Sequence, residues 1–196
     1  MKEKISIKVI IGTTREGRFG DKPARWISDL LKKKEGVEVE VLDLRDYPMP
    51  FFKEAVSPNY KKEPYTDKAV AAWTAKIAEA DGFVVTVAEY NHGYSAVLKN
   101  ALDYVGAEWH DKAIGFVGYG SAMGARAVEQ LREVAVELQM APIRNAVHMS
   151  FDVVMAAGKG TPEKELFTAY DDRGNGMLDQ LIAWSKALKT LRVQTK

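Results

Sequence analysis

The stretch "IKVIIGTTREGRFGDKPARWI", Ile7 to Ile27, opens on a run dominated by isoleucine and valine and halts at Gly12. It then fills with hydroxyls and arginines, and resumes with apolar residues at helical spacing. This is the pattern of a buried strand, a polar loop and an amphipathic helix. The strand is expected over Ile5 to Ile11 and the helix over Lys22 to Lys34, with Ala24, Ile27, Leu30 and Leu31 on one face.

Outward from this unit the alternation continues. Val37, Val39 and Val41 alternate with acids in "VEVEVLDL", which predicts a second strand near a sheet edge. An irregular excursion follows from Arg45 to Pro64, holding four of the seven prolines. A helix is expected over Thr66 to Ala80, with Val70, Trp73 and Ile77 on its buried face, and a central strand at "GFVVTVA", Gly82 to Ala88. Then come a helix at Ala96 to Val105, a strand at Ala113 to Val117 and a helix from about Gly124 to Leu138. A short strand around Ile143 to Met149 and a closing helix from Met177 to Leu191 end the series. Alternating strands and helices predict an α/β protein with a parallel sheet. Five strands joined by right-handed crossovers give a flavodoxin-like, three-layer, doubly wound fold of order 2-1-3-4-5. One domain over residues 1–196 is expected, since no composition shift divides the chain.

The composition narrows the function. Of the 196 residues 46% are hydrophobic, and the net charge of +1 leaves no broad footprint for nucleic acid or an acidic membrane. There is no cysteine, hence no disulfide, thiolate metal site or thiol nucleophile, which suits a reducing compartment. No stretch approaches the roughly 20 apolar residues of a membrane span, so a soluble, cytoplasmic protein with a small-molecule partner is expected. His92, His110 and His148 are far apart and lack ligand partners at regular spacing, so no metal site is expected. The pair Asp171 and Asp172 is read as solvent-facing, and "DDRGNG" as a turn before the last helix.

In a sheet of this order ligands bind beyond the carboxyl ends of the strands, beside the switch point between the first and third, the place FMN takes in flavodoxin. Three loops are therefore of interest. In the first, Gly12 and Gly17 have P-loop spacing, but Arg18 and Phe19 stand where Lys and Ser or Thr are required. The loop can still aim N–H groups, the hydroxyls of Thr13 and Thr14, and Arg15 or Arg18 at a phosphate monoester. The alternative is a plain turn with solvated arginines. In the second, "AEYNHGYSAVLKNALDYV", Ser95 is placed to cap a helix, and polar and aromatic residues gather on the lip of the sheet. Stacking of a planar ring and ordinary surface aromatics are both compatible with it. The third, "GYGSAMGARA", lacks the dinucleotide fingerprint and suits close backbone approach to a ring edge.

Together "GTTREGRFG", "AEYNHGYSAVLKNALDYV" and "GYGSAMGARAVEQLR" resemble the NADPH-dependent FMN reductase family of flavodoxin-like quinone, azo-dye and chromate reductases, over roughly Ile5 to Met149. The resemblance implies that Thr13, Arg15, Arg18 and Gly20 surround the FMN phosphate. It implies that Glu89, Tyr90, Asn91 and His92 line the isoalloxazine, and that Tyr119, Gly120 and Ser121 close its pyrimidine side. Ala88 stands where the family often has Pro, and Thr13 and Arg18 where it often has Ser. The activity implied is FMN-dependent oxidation of NADPH or NADH, with ping-pong transfer to quinones, flavins or similar acceptors and no catalytic side chain required. A flavin-binding electron carrier, or a regulatory protein without turnover, is the alternative. A homodimer or homotetramer is expected, with aromatics at Tyr47 to Phe52 available for contact.

Overall fold

The computed structural model describes residues 4–194. The first strand, β1 (Ile5–Ile11), leads through the polar loop into α1 (Asp21–Lys32), and β2 (Val37–Asp43) follows. The excursion from Arg45 to Pro64 carries only a 3-10 turn at Pro58–Tyr60 besides the end of one at Leu44–Asp46. Then come α2 (Lys68–Ala78), β3 (Gly82–Ala88), α3 (Ala96–Asp103), β4 (Ala113–Tyr119) and α4 (Ala125–Glu137). The chain continues through β5 (Ala141–Pro142), β6 (Val147–Met149), α5 (Phe151–Gly158), α6 (Glu163–Phe167) and α7 (Asp171–Gln194).

All pairings are parallel and the order is β2-β1-β3-β4-β5, with β6 also on β4. Ile11 sits level with Thr86, and Ala88 with Tyr119, so the carboxyl ends of β1, β3 and β4 emerge together. One face of the sheet packs Ile7, Val9 and Val117 against Ile27 and Leu31 of α1 and Leu178 and Leu181 of α7. The other packs Ile10, Phe83 and Phe116 against α2, α3 and α4 through Trp73, Leu98 and Leu131. Two of the helices begin at side-chain caps, which satisfy N–H groups orphaned by the first turn. Asp67 accepts from Ala69 N and Val70 N of α2, and Ser95 accepts from Leu98 N of α3. Trp73 and Trp109 are fully buried, each donating its indole N–H to a carbonyl of α3, Ala101 or Leu102. Trp184 stands half exposed.

Three expectations are corrected. The fifth strand is split: Ala141 N and Ile143 N still donate to Lys112 O and Ile114 O of β4, but beyond them the backbone turns to side-chain partners. Arg132 donates to the carbonyls of Ile143 and Arg144, and Asn145 N donates to Gln180 Oε1 at 3.0 Å. "DDRGNG" is no turn: it forms the first turns of α7, and a Cβ on Gly174 would lie 2.8 Å from the Trp26 ring. Asp171 accepts from Trp26 Nε1 at 2.8 Å, so of the acidic pair only Asp172 is fully solvent-facing. Two further helices, α5 and α6, fill a segment for which the sequence pattern predicted nothing. Among the described residues no helix is long and apolar enough to cross a membrane.

Candidate active site

At the common carboxyl end of β1, β3 and β4, three loops and α5 surround a cavity of about 720 Å³, within the usual range for a small-molecule site.

The first loop is pressed against the sheet and then held open. A Cβ on Gly12 would lie 2.6 Å from Thr86 O, so only glycine lets the chain leave β1 this close to β3. Ser95 Oγ donates to Gly12 O at 2.5 Å, and the Thr13 and Tyr90 hydroxyls bond at 2.9 Å, tying this loop to the second. Arg18 is engaged throughout. Its Nε and Nη2 donate to Asp21, its Nη1 and Nη2 to Asp43 and its Nη1 also to Thr13 O, while its side chain is almost wholly buried. Burial opposes ionisation of Asp43, but hydrogen bonds from Arg18 and Arg45 overcome it and hold the carboxyl well below the usual carboxylate range. Arg15 differs. It lines the cavity, is exposed, and its guanidinium carbon stands 6.0 Å from the Tyr90 ring centroid, with no ion pair or side-chain hydrogen bond among the described residues. The backbone N–H groups of Glu16, Gly17 and Phe19 also lack an intramolecular partner among the described residues.

The second loop turns tightly. Tyr90 and Gly93 exchange both backbone hydrogen bonds, at 2.8 and 3.1 Å, around Asn91 (φ 49°) and His92 (φ 75°). Two consecutive left-handed residues make a type I′ turn. It carries Asn91 and His92 out to solvent, whereas Ala88, Glu89 and Tyr90 line the cavity. The Glu89 side chain is 2% exposed and pairs with Arg126, which donates from Nε to Oε1 at 2.5 Å and from its backbone N to Oε2 at 3.2 Å. Arg126 Nη1 also meets His92 Nε2 at 2.7 Å.

The third loop approaches from β4. Gly120 has φ 142°, and a Cβ there would come within 3.1 Å of Glu89 Cβ, so a larger residue would push the two loops apart. Gly120 and Ser121 line the cavity, as does Tyr119, whose ring meets Phe19 edge-on at 5.0 Å. The Tyr119 hydroxyl is buried without a hydrogen-bond partner among the described residues. It lies against Gly20, at the N-terminus of α1, where a Cβ would sit 2.7 Å from it. Burial pushes this phenol far above the usual tyrosine range, so it stays a neutral donor. Tyr119 therefore reaches the first loop, which its expected place at the ring edge did not suggest.

Of the eleven residues named from the sequence, Arg15, Arg18, Glu89, Tyr90, Tyr119, Gly120 and Ser121 line the cavity. Thr13 and Gly20 support it from behind, and Asn91 and His92 lie outside it. Lys22, Phe151, Val154 and Ala157 also line it and were not anticipated. For the last three a signal existed: "FDVVMAAG" is apolar, yet as α5 it buries only Ala157 in the core.

The family model described as NADPH-dependent FMN reductase matches residues 5–153. The chain belongs to that family. An NAD(P)H-dependent FMN reductase of Schizosaccharomyces pombe is 36% identical over 151 residues, 76% of each chain. An NADPH:quinone oxidoreductase of Arabidopsis thaliana is 30% identical over 145 residues, 71% of each. In fold, the chain superposes on the flavoenzyme NAD(P)H:(acceptor) oxidoreductase FerB of Paracoccus denitrificans with a TM-score of 0.71 at 18% identity. That alignment covers 93% of this chain and 98% of the other. The chain is thus a flavin-dependent oxidoreductase, with FMN as its cofactor and NAD(P)H as its electron donor.

Proposed function

We propose that the protein binds FMN in the 720 Å³ cavity and uses it to oxidise NAD(P)H at the expense of quinones, flavins or similar small acceptors. The observation that carries this reading is the polarity of the cavity. One end offers Arg15, without an ion pair among the described residues, Lys22 and the unengaged N–H groups of the loop before α1, and the other is walled by Tyr90 and by the close-packed Glu89, Gly120 and Ser121 of the second and third loops. The first suits a phosphate monoester and the second a planar ring, so the residues present fit FMN.

Bound FMN would supply the hydride and electron transfer, so the protein's work is binding and orientation. Arg15 is the clamp on the phosphate. Arg18, with all its N–H groups committed, braces the loop instead of touching the ligand. The Tyr119 hydroxyl donates to the phosphate end, Glu89, Tyr90, Gly120 and Ser121 frame the ring, and Arg126 holds Glu89 in place. Donor and acceptor share one cavity, which makes turnover ping-pong. The alternative, a flavin carrier or regulatory protein without turnover, is separated by steady NADPH consumption with a benzoquinone: sustained consumption with parallel double-reciprocal lines supports the oxidoreductase, and reduction without turnover supports the carrier.

By the same reading the protein is cytoplasmic, folds as a single domain and forms a homodimer or homotetramer. The absence of cysteine supports the cytoplasmic location. Exposed Phe51 on the excursion, and Phe151 and Met155 on α5 beside the cavity, support self-association.

A further inference from the structure

A second cleft, of about 480 Å³, opens beside the flavin cavity and is lined by Arg144, Asn145, Ala146, His148, Arg173 and Gly176. It lies at the sheet edge formed by β6, where the split of the last strand brings Arg144 opposite the first turn of α7. Its charge is one-sided: two arginines and a histidine, with no acid in the lining.

The arginines distinguish it. Of the nine in the chain, Arg18, Arg25, Arg45, Arg126, Arg132 and Arg192 are each held by carboxylates or carbonyls. Arg15 faces the flavin cavity. The side chains of Arg144 and Arg173 have no hydrogen bond, ion pair or ring contact among the described residues, and both line this one cleft. His148 Nδ1 lies 3.2 Å from Met123 O, which occupies that nitrogen and leaves Nε2 available.

The position of the cleft gives it a use. Met123 belongs to the loop from Gly120 to Gly124, which also supplies Gly120 and Ser121 to the cavity wall. This short loop touches both sites. A molecule with one end over the flavin and a phosphate-bearing tail has only to cross it to reach the arginines.

We propose that the Arg144–Arg173 cleft is a phosphate subsite for the nicotinamide dinucleotide donor, an inference that rests on the reading of the protein as an NAD(P)H oxidoreductase. Arginine forks suit phosphate oxygens, and two of them without intramolecular partners reach an incoming phosphate without breaking an existing ion pair.

The test uses FMN-loaded protein, wild type and R144Q/R173Q, with each single variant as a check on folding. Stopped-flow bleaching of the flavin gives the Kd for NADPH and for NADH, and calorimetry gives the affinity for adenosine 2′,5′-bisphosphate, a readout independent of turnover. The double variant is expected to bind NADPH and the bisphosphate about ten- to a hundredfold more weakly, with FMN affinity unchanged. Weakening of NADPH alone places the 2′-phosphate in the cleft, and equal weakening of NADH places the pyrophosphate there. Wild-type affinity for NADPH and the bisphosphate in the double variant overturns the proposal, as does inorganic phosphate binding to the wild-type cleft without competing with NADPH. If wild-type protein is reduced by neither nicotinamide, the functional reading itself fails, which is a different result.

Discussion

Arg126 reaches 37 residues back along the chain to the buried carboxylate of Glu89, closing the loop after β4 onto the loop after β3. A carboxylate at 2% exposure cannot lose its cation cheaply, because the remaining charge stays desolvated. Arg126→Ala should lower stability by about 2 kcal/mol, less than for a fully buried pair because the arginine is 38% exposed. A double-mutant cycle with Glu89→Gln in urea unfolding checks this. A coupling below about 0.5 kcal/mol would show that the pair contributes nothing.

Arg15 and Arg18, three residues apart, should separate function from stability. On the proposed role of Arg15, Arg15→Ala should remove a charge-assisted bond to the FMN phosphate and cost about 1.5 to 3 kcal/mol, or roughly ten- to a hundredfold in affinity. Its urea midpoint should stay at the wild-type value. Arg18→Ala leaves Asp21 and Asp43 with only the more exposed Arg45 and should lower the urea midpoint. Riboflavin, lacking the phosphate, should bind Arg15→Ala and wild type alike. Fluorescence titration of both flavins against both variants distinguishes the roles, and loss of stability in Arg15→Ala alone would reverse them.

The same cluster sets a pH dependence. Asp43 has a folded pKa depressed below its unfolded value of about 3.9, so it contributes stability above that pH and loses it as pH falls toward the folded value. The stability gap between wild type and Asp43→Asn should therefore be constant from pH 7 to about pH 5 and shrink below about pH 4. Urea midpoints across this range measure it. A gap that persists undiminished at pH 3 would mean that the ionised carboxylate is not what stabilises.

Gly174 and Gly176 lie in the same helix and should respond oppositely to alanine. At Gly174 the new Cβ meets Trp26 at 2.8 Å and Leu30 at 2.9 Å, and overpacking of about 1 to 3 kcal/mol outweighs the gain in helix propensity. At Gly176 nothing lies within 4 Å, so Gly176→Ala should stabilise by about 0.5 to 1 kcal/mol. Thermal melts of the two variants show whether the shifts have opposite signs.

These two glycines also show where the sequence stopped being legible. "DDRGNG" reads as a turn because two glycines in six residues oppose a helix, and only the Trp26 ring lying against Gly174 accounts for one of them. The central strands and the helices with clear apolar faces were legible because burial on both sides, or on one, writes itself into local periodicity. The last strand was not, since its division depends on Arg132 and Gln180, which arrive from α4 and α7. At the site, the three loops were visible as motifs, but the partners of their charges were not. That Arg18 is consumed by Asp21 and Asp43 while Arg15 is left unpaired follows from β2 lying beside β1. Likewise, the place of the Tyr119 hydroxyl against Gly20 follows from packing across the sheet.

The most direct test of the central claim is a titration of flavin-free protein with FMN, FAD and riboflavin, followed by anaerobic addition of NADPH. Saturation is expected at a single FMN per chain, with weaker binding of the two analogues if the first loop takes a terminal phosphate as proposed, and with complete bleaching of the bound FMN by NADPH. Tight FAD binding without FMN binding, or bound FMN that neither NADPH nor NADH reduces, would contradict it.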